Sequence, residues 1–150
     1  MSAKLAADII CVRNTGTEEI LLIKRGNEPF KGQYALPGGF LDEKETIEEA
    51  AIREAREETG LTVSPQAILG VYSTPSRDPR GHVVSVVFIM HVDAGIVQGG
   101  DDAEDAQWHS LAALNLNELA FDHNKIVSDY LAWKQKHETF WSTKKYRQTS

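Results

Sequence analysis

Residues 38–60 read GGFLDEKETIEEAAIREAREETG: two glycines, an acidic turn, then a run at helical spacing. Thr46 with Glu49 three residues on makes a capping box, so a helix begins there, and Gly60 supplies a left-handed C-terminal residue. At about 100° per residue, Glu54, Glu57 and Glu58 stand as i, i+3 and i+4 and share one face. That face continues the stripe begun by Ala50 and Ala51, while Glu49 and Arg56 fall on the opposite side.

A Glu-rich helix is most often a solvated, salt-bridged surface. Such surfaces alternate in sign, whereas like charges at i and i+4 repel. Three acids on the half-buried side are costly unless a cation neutralises them. Carboxylate oxygens with no Cys or His nearby select a hard ion, Mg²⁺ with Mn²⁺ as a substitute, rather than Zn²⁺. Gly38 and Gly39 let backbone approach the same point and offer a carbonyl. Arg53 lies four residues from both Glu49 and Glu57, as an ordinary helix ion pair or as the residue that orients a metal-binding glutamate.

Outward from this helix, residues 5–13 and 19–25 read as strands joined by a turn at Asn14-Thr15-Gly16-Thr17. Gly26 to Leu41 is mostly loop, with a brief strand at Tyr34–Leu36. Val63 to Tyr72 is a strand broken by Pro65, and residues 74–81 form a loop. Val83 to Val92 is a nearly continuous apolar run, the expected central strand. Gly95 to Asp105 reads as loop, and Ile126, Val127, Tyr130, Leu131 and Trp133 place a second amphipathic helix between Asp122 and His137. No repeat or linker interrupts residues 1–150. The expected class is α/β or α+β, one domain with a mixed sheet and a basic tail at 138–150.

The chain has 150 residues, 41% of them hydrophobic, and a net charge of −6. That is ordinary globular composition, long enough for a core without disulfides. Residues 42–58 hold eight acidic and three basic residues, so most of the excess charge sits in that one stretch. A net acidic chain argues against a general nucleic-acid surface, and no apolar run reaches the ~18–20 residues of a membrane span. The N-terminus lacks the pattern of a secretory signal, and the single cysteine, Cys11, reads as a buried strand thiol, so a reducing, cytoplasmic setting is expected.

Gly39, five residues, Glu45, seven residues, then Arg53-Glu54-Ala55-Arg56-Glu57-Glu58-Thr59-Gly60-Leu61 resembles the signature of the Nudix hydrolases, with every fixed position filled. The lead-in Tyr34-Ala35-Leu36-Pro37-Gly38-Gly39 is similar too, with Tyr where many members have Trp. The resemblance implies an α/β/α sandwich with a mixed sheet and the signature on a loop–helix–loop. It implies hydrolysis of a nucleoside diphosphate linked to another moiety. Glu54, Glu57, Glu58 and the Gly38 carbonyl would be metal ligands, with Arg53 and Glu45 orienting them. A homodimer is an expectation from the family alone.

Residues 72–88 and 120–126 are similar to the branch containing ADP-ribose pyrophosphatases, a core shared with regulators that bind ADP-ribose. Arg77, Asp78 and Arg80 are read either as a surface turn or as a basic loop reaching the ribose or phosphate, and Gly39 is a further substrate-binding candidate. Phe121-Asp122-His123 are read either as part of that branch-like stretch or, in preference, as the start of the second helix, capped by Asp122 with Phe121 and Ile126 as its hydrophobic staple. In the acidic stretch 101–105, Asp102 and then Glu104 are candidates for a further acid; a solvated loop is the alternative. His82, His91 and His109 are expected to be structural. The leading reading is Mg²⁺-dependent cleavage of ADP-ribose, a small-molecule substrate, to AMP and ribose 5-phosphate. A nucleotide-pool or mRNA-cap hydrolase is the alternative. A non-catalytic ADP-ribose sensor is the distant third, because the signature acids are intact and few residues follow the last helix for a DNA-binding domain.

Overall fold

A computed structural model describes residues 2–98 and 103–146, with backbone alone at 103 and 104. Its elements run β1 (Lys4–Asn14), β2 (Glu18–Arg25), β3 (Tyr34–Ala35), β4 (Gly38–Phe40), α1 (Ile47–Thr59), β5 (Thr62–Tyr72), β6 (Val83–Ala94), β7 (Ala103–Ser110), a 3₁₀ turn (Leu116–Glu118), α2 (His123–Lys136) and β8 (Phe140–Trp141). The main sheet path is β3-β2-β1-β6-β5-β8, with β4 paired to β1 and β7 to β2. β1 runs parallel to β6 and β5 parallel to β8; β5–β6, β1–β2, β1–β4 and β2–β7 are antiparallel.

Side chains on a strand alternate between faces, and here both faces are covered. Ile10, Ile20, Leu22, Val87 and Ile89 pack with Ile126, Val127, Tyr130 and Trp133 of α2. Their neighbours Ile9, Cys11, Leu21, Phe88 and Met90 pack on the other face with Ala50, Ala51 and Ala55 of α1. The result is the α/β/α sandwich with a mixed sheet. Cys11 lies fully inside, where burial pushes its thiol pKa up to about 12. No helix among the described residues is long and apolar enough to cross a membrane.

α1 begins and ends as its sequence dictates. Thr46 accepts from the Glu49 amide while Glu49 accepts from the Thr46 amide, and Gly60 adopts φ 78° at the C-terminus. Elsewhere the structure departs from expectation. β5 is not broken at Pro65; it continues through, with the register shifting between Pro65 and Ala67, where a bulge absorbs the missing N–H. The stretch expected as loop up to Asp105 enters β7 at Ala103, because polar residues suffice for a strand that, among the described residues, pairs only with β2. Asp122 sits at the N-cap of α2 without capping it; its carboxylate is drawn instead to Arg77. Phe121 packs edge-on against Phe30, in a cluster separate from that of Ile126, so no staple forms. The expected tail is folded over its described part: Phe140 is buried and β8 joins the sheet, while Arg147 lies outside the described residues.

Candidate active site

β4 threads between β1 and the acidic end of α1, so closely that a side chain at Gly38 would strike backbone and one at Gly39 would displace a neighbour. A Cβ on Gly38 would lie 2.3 Å from the Ala7 carbonyl oxygen and 2.4 Å from Asp8 Oδ1; one on Gly39 would lie 2.5 Å from the Glu54 carboxyl. The Gly38 amide donates to Glu58 Oε1 at 2.8 Å. Two of the three signature glutamates therefore abut the glycine backbone. Gly39→Ala meets the end of a flexible side chain rather than backbone, so the fold should survive while Glu54 is displaced. The expected result is a fall in kcat of about 10–100-fold at nearly unchanged melting temperature.

Arg53 gathers the rest. Its guanidinium donates to Glu45 in a fork (2.8 and 3.1 Å), to Glu54 at 2.8 Å, to Glu57 at 3.2 Å and to the Phe40 carbonyl at 3.0 Å. The Glu45 hydrogen bonds, then those to Glu54, push the Arg53 pKa above its ordinary value. Arg53, then the Asp42 amide, hold Glu45 below the usual carboxylate range. Of the two pairings open to Arg53, Glu57 is the one made, since Glu49 is occupied at the cap. Glu58 is buried and Glu54 nearly so, but the Glu57 side chain stands 58% exposed at the rim.

This donor set suits a hard divalent cation. Every candidate ligand is an oxygen, and among the described residues no three acidic, His or Cys side chains form a ready-made cage. Mg²⁺ needs no cage: it keeps several waters and is typically bound through one or two carboxylates plus substrate phosphates. Asp102 lies outside the described residues, as does the Glu104 side chain.

Beside the glycines lies a cavity of about 60 Å³. Arg77, Asp78 and Arg80 all line it, with different freedoms. Arg77 is buried, and its fork grips Asp122 at 2.7 and 2.9 Å while lying 3.8 Å from Asp8. Asp78 is buried as well. Burial alone would raise its pKa, but hydrogen bonds from the Arg80 guanidinium and amide outweigh that and hold it low. Arg80 is the exposed member, its cation 5.1 Å from the Phe40 ring and 5.7 Å from that of Phe121.

Asp8 and His123 also line the cavity, and the sequence reading does not anticipate them. A lone acid within a buried strand was the available signal for Asp8. His123 is buried, and its Nδ1 accepts the Leu36 amide at 3.0 Å, which places the proton on Nε2, 3.8 Å from Asp8. It thereby pins the segment leading into Gly38.

Burial lowers the His123 pKa from its ordinary 6.5, with the Asp8 charge opposing. The unfolded chain then takes up the proton first as pH falls. The stability His123 contributes is present above about pH 6.5 and is lost below it. The urea midpoint should fall more steeply from about pH 7 to about pH 5 in the wild type than in His123→Asn; equal slopes would clear His123 of this role.

Similarity to known proteins agrees with this geometry. The chain is 58% identical over 116 residues to an ADP-ribose pyrophosphatase of Methanocaldococcus jannaschii, covering 77% of this chain and 68% of that protein. It is 42% identical over 101 residues to a putative 8-oxo-dGTP diphosphatase of Bacillus subtilis, covering 67% and 63%. The NUDIX domain of Shewanella oneidensis NrtR, solved in complex with ADP ribose, superimposes with a TM-score of 0.78 at 28% identity, covering 88% of each chain. The family model of the NUDIX domain matches residues 3–130, and with that match the chain belongs to the Nudix family.

Proposed function

We propose that this Nudix protein hydrolyses the diphosphate bond of ADP-ribose, yielding AMP and ribose 5-phosphate. The observation that carries the reading is the contact between the acidic end of α1 and the Gly38–Gly39 backbone, next to a cavity walled by Arg80, Phe40 and Phe121. The 58% identity to the ADP-ribose pyrophosphatase of Methanocaldococcus jannaschii supports the choice of substrate.

Glu54, Glu57, Glu58 and the Gly38 carbonyl would hold the divalent ion. When bound, such an ion neutralises diphosphate charge and lowers the pKa of water. The chain's own part is positional and acid–base. Arg53 and Glu45 fix the carboxylates of α1, the Gly38 amide fixes Glu58, and Gly39 leaves room for Glu54. The backbone at the two glycines admits the diphosphate, and Arg80 reaches the substrate as the exposed cation of the cavity. Arg77 and Asp78 act through Arg80 and the loop that bears it. Asp102 is retained as a further acid. Water adds to one phosphorus as the bridging P–O bond breaks, its proton passes to a carboxylate, and each product leaves with one phosphate.

Similarity to the Bacillus subtilis protein favours a second reading, turnover of an oxidised nucleoside triphosphate by the same residues. Product analysis with ADP-ribose, 8-oxo-dGTP, NADH and dinucleoside polyphosphates, in Mg²⁺, in Mn²⁺ and with chelator, separates the two. AMP and ribose 5-phosphate should appear only with metal. Faster turnover of 8-oxo-dGTP than of ADP-ribose would move the assignment. Tight ADP-ribose binding without product in either metal would revive the sensor. A cytoplasmic homodimer completes the proposal, and light scattering of the purified protein reads the oligomer directly.

A further inference from the structure

Residues 138–146 lie beyond the 3–130 span of the family match, yet they are tied to the loop that walls the cavity. β8 pairs with Gly70 and Val71 at the end of β5. The approach depends on glycine, since a Cβ at Gly70 would lie 2.2 Å from the Phe140 carbonyl oxygen. One residue past β8, Ser142 Oγ accepts two backbone amides, Ser73 at 2.7 Å and Thr74 at 3.2 Å. These are the first residues of the 73–82 loop that carries Arg77, Asp78 and Arg80. The loop closes on itself there, with His82 Nε2 2.8 Å from the Ser73 carbonyl oxygen. Farther on, Tyr146 donates to the fully buried Asp129, which also receives Tyr72, the last residue before the loop.

We propose that residues 138–146 form a strap that sets the 73–82 loop, and that Ser142 is a positioning residue for substrate binding. It acts through that loop on Asp78 and Arg80. The bonds Ser142 makes are solvent-exposed. Water replaces such a hydroxyl at little cost to stability, so the consequence of losing it is freedom of the loop rather than unfolding. The link to substrate rests on the reading above, that the cavity beside Gly38 is the nucleotide site.

The test compares wild type, Ser142→Ala and Ser142→Thr by amide exchange and by ADP-ribose kinetics. The Arg77, Arg80 and Gly81 amides bond within the loop, to the Thr74 carbonyl, the Asp78 carboxylate and the Asp78 carbonyl. In Ser142→Ala they should exchange about 3–10-fold faster, with the amides of β1 and β6 unchanged. KM should rise by a similar factor with kcat within about twofold, and Ser142→Thr, which keeps the acceptor, should restore both. Unchanged loop exchange overturns the strap, as does uniform acceleration across the sheet. Faster loop exchange with KM unmoved overturns the positioning role. Exchange reads out even if ADP-ribose is not the substrate, so failure of that reading, seen as no wild-type turnover, is distinguishable.

Discussion

Glu57→Gln is expected to lower kcat for ADP-ribose cleavage by about 10²–10⁴-fold while leaving the protein folded. Glu57 is the signature acid for which this experiment is clean. Its side chain is more than half exposed and touches Arg53 at 3.2 Å, a surface pair worth at most about 1 kcal/mol. Removing its charge leaves α1, its cap and its Ala face intact. Glu58→Gln lacks that clarity, because Glu58 is buried and accepts the Gly38 amide, so stability and catalysis would change together. The measurement is AMP release at saturating Mg²⁺ beside a melting curve. A variant within tenfold of wild type would remove Glu57 from the metal-binding set.

Arg77→Ala should act in the opposite way, through stability. Truncation leaves the half-buried Asp122 and the nearby Asp8 without the buried Arg77 cation, and breaking a fully buried pair of this kind costs about 3–5 kcal/mol, an upper bound here. For a domain of this size that bound corresponds to a melting temperature lower by roughly 6–20 °C. Arg77→Lys recovers only part, because an ammonium cannot reproduce the two-pronged grip on Asp122. Calorimetry decides the matter. A melt within about 3 °C of wild type together with a raised KM would instead make Arg77 a substrate contact.

How much of this was legible in sequence depended on how local the determining physics is. Thr46, Glu49 and Gly60 act within one helix, so the bounds of α1 could be read directly. The unbroken apolar run through Ile9, Ile10 and Cys11 is equally local, and a strand buried on both faces follows from it. β7 was illegible because AEDAQWHS carries little apolar signal and depends on pairing with β2. At Asp122 a local preference met a stronger competitor. Capping an amide is a modest gain, and a bidentate guanidinium outbids it, but Arg77 is close only in the folded chain. The grouping of Glu54 and Glu58 against the glycines was foreseeable from spacing. The Asp8–His123 side of the cavity was not, since it joins the middle of β1 to the start of α2.

Asp102 aside, the acids and glycines proposed for bond cleavage occupy one unbroken stretch, residues 38–58, whereas the opposite wall is assembled from β1, the 73–82 loop and the start of α2. Scissors and grip are thus encoded apart. Exchanges at Arg80 or Phe121 could redirect which diphosphate is cut and leave the blade untouched, a division that lets descendants of one ancestor diverge in diet without reinventing their chemistry.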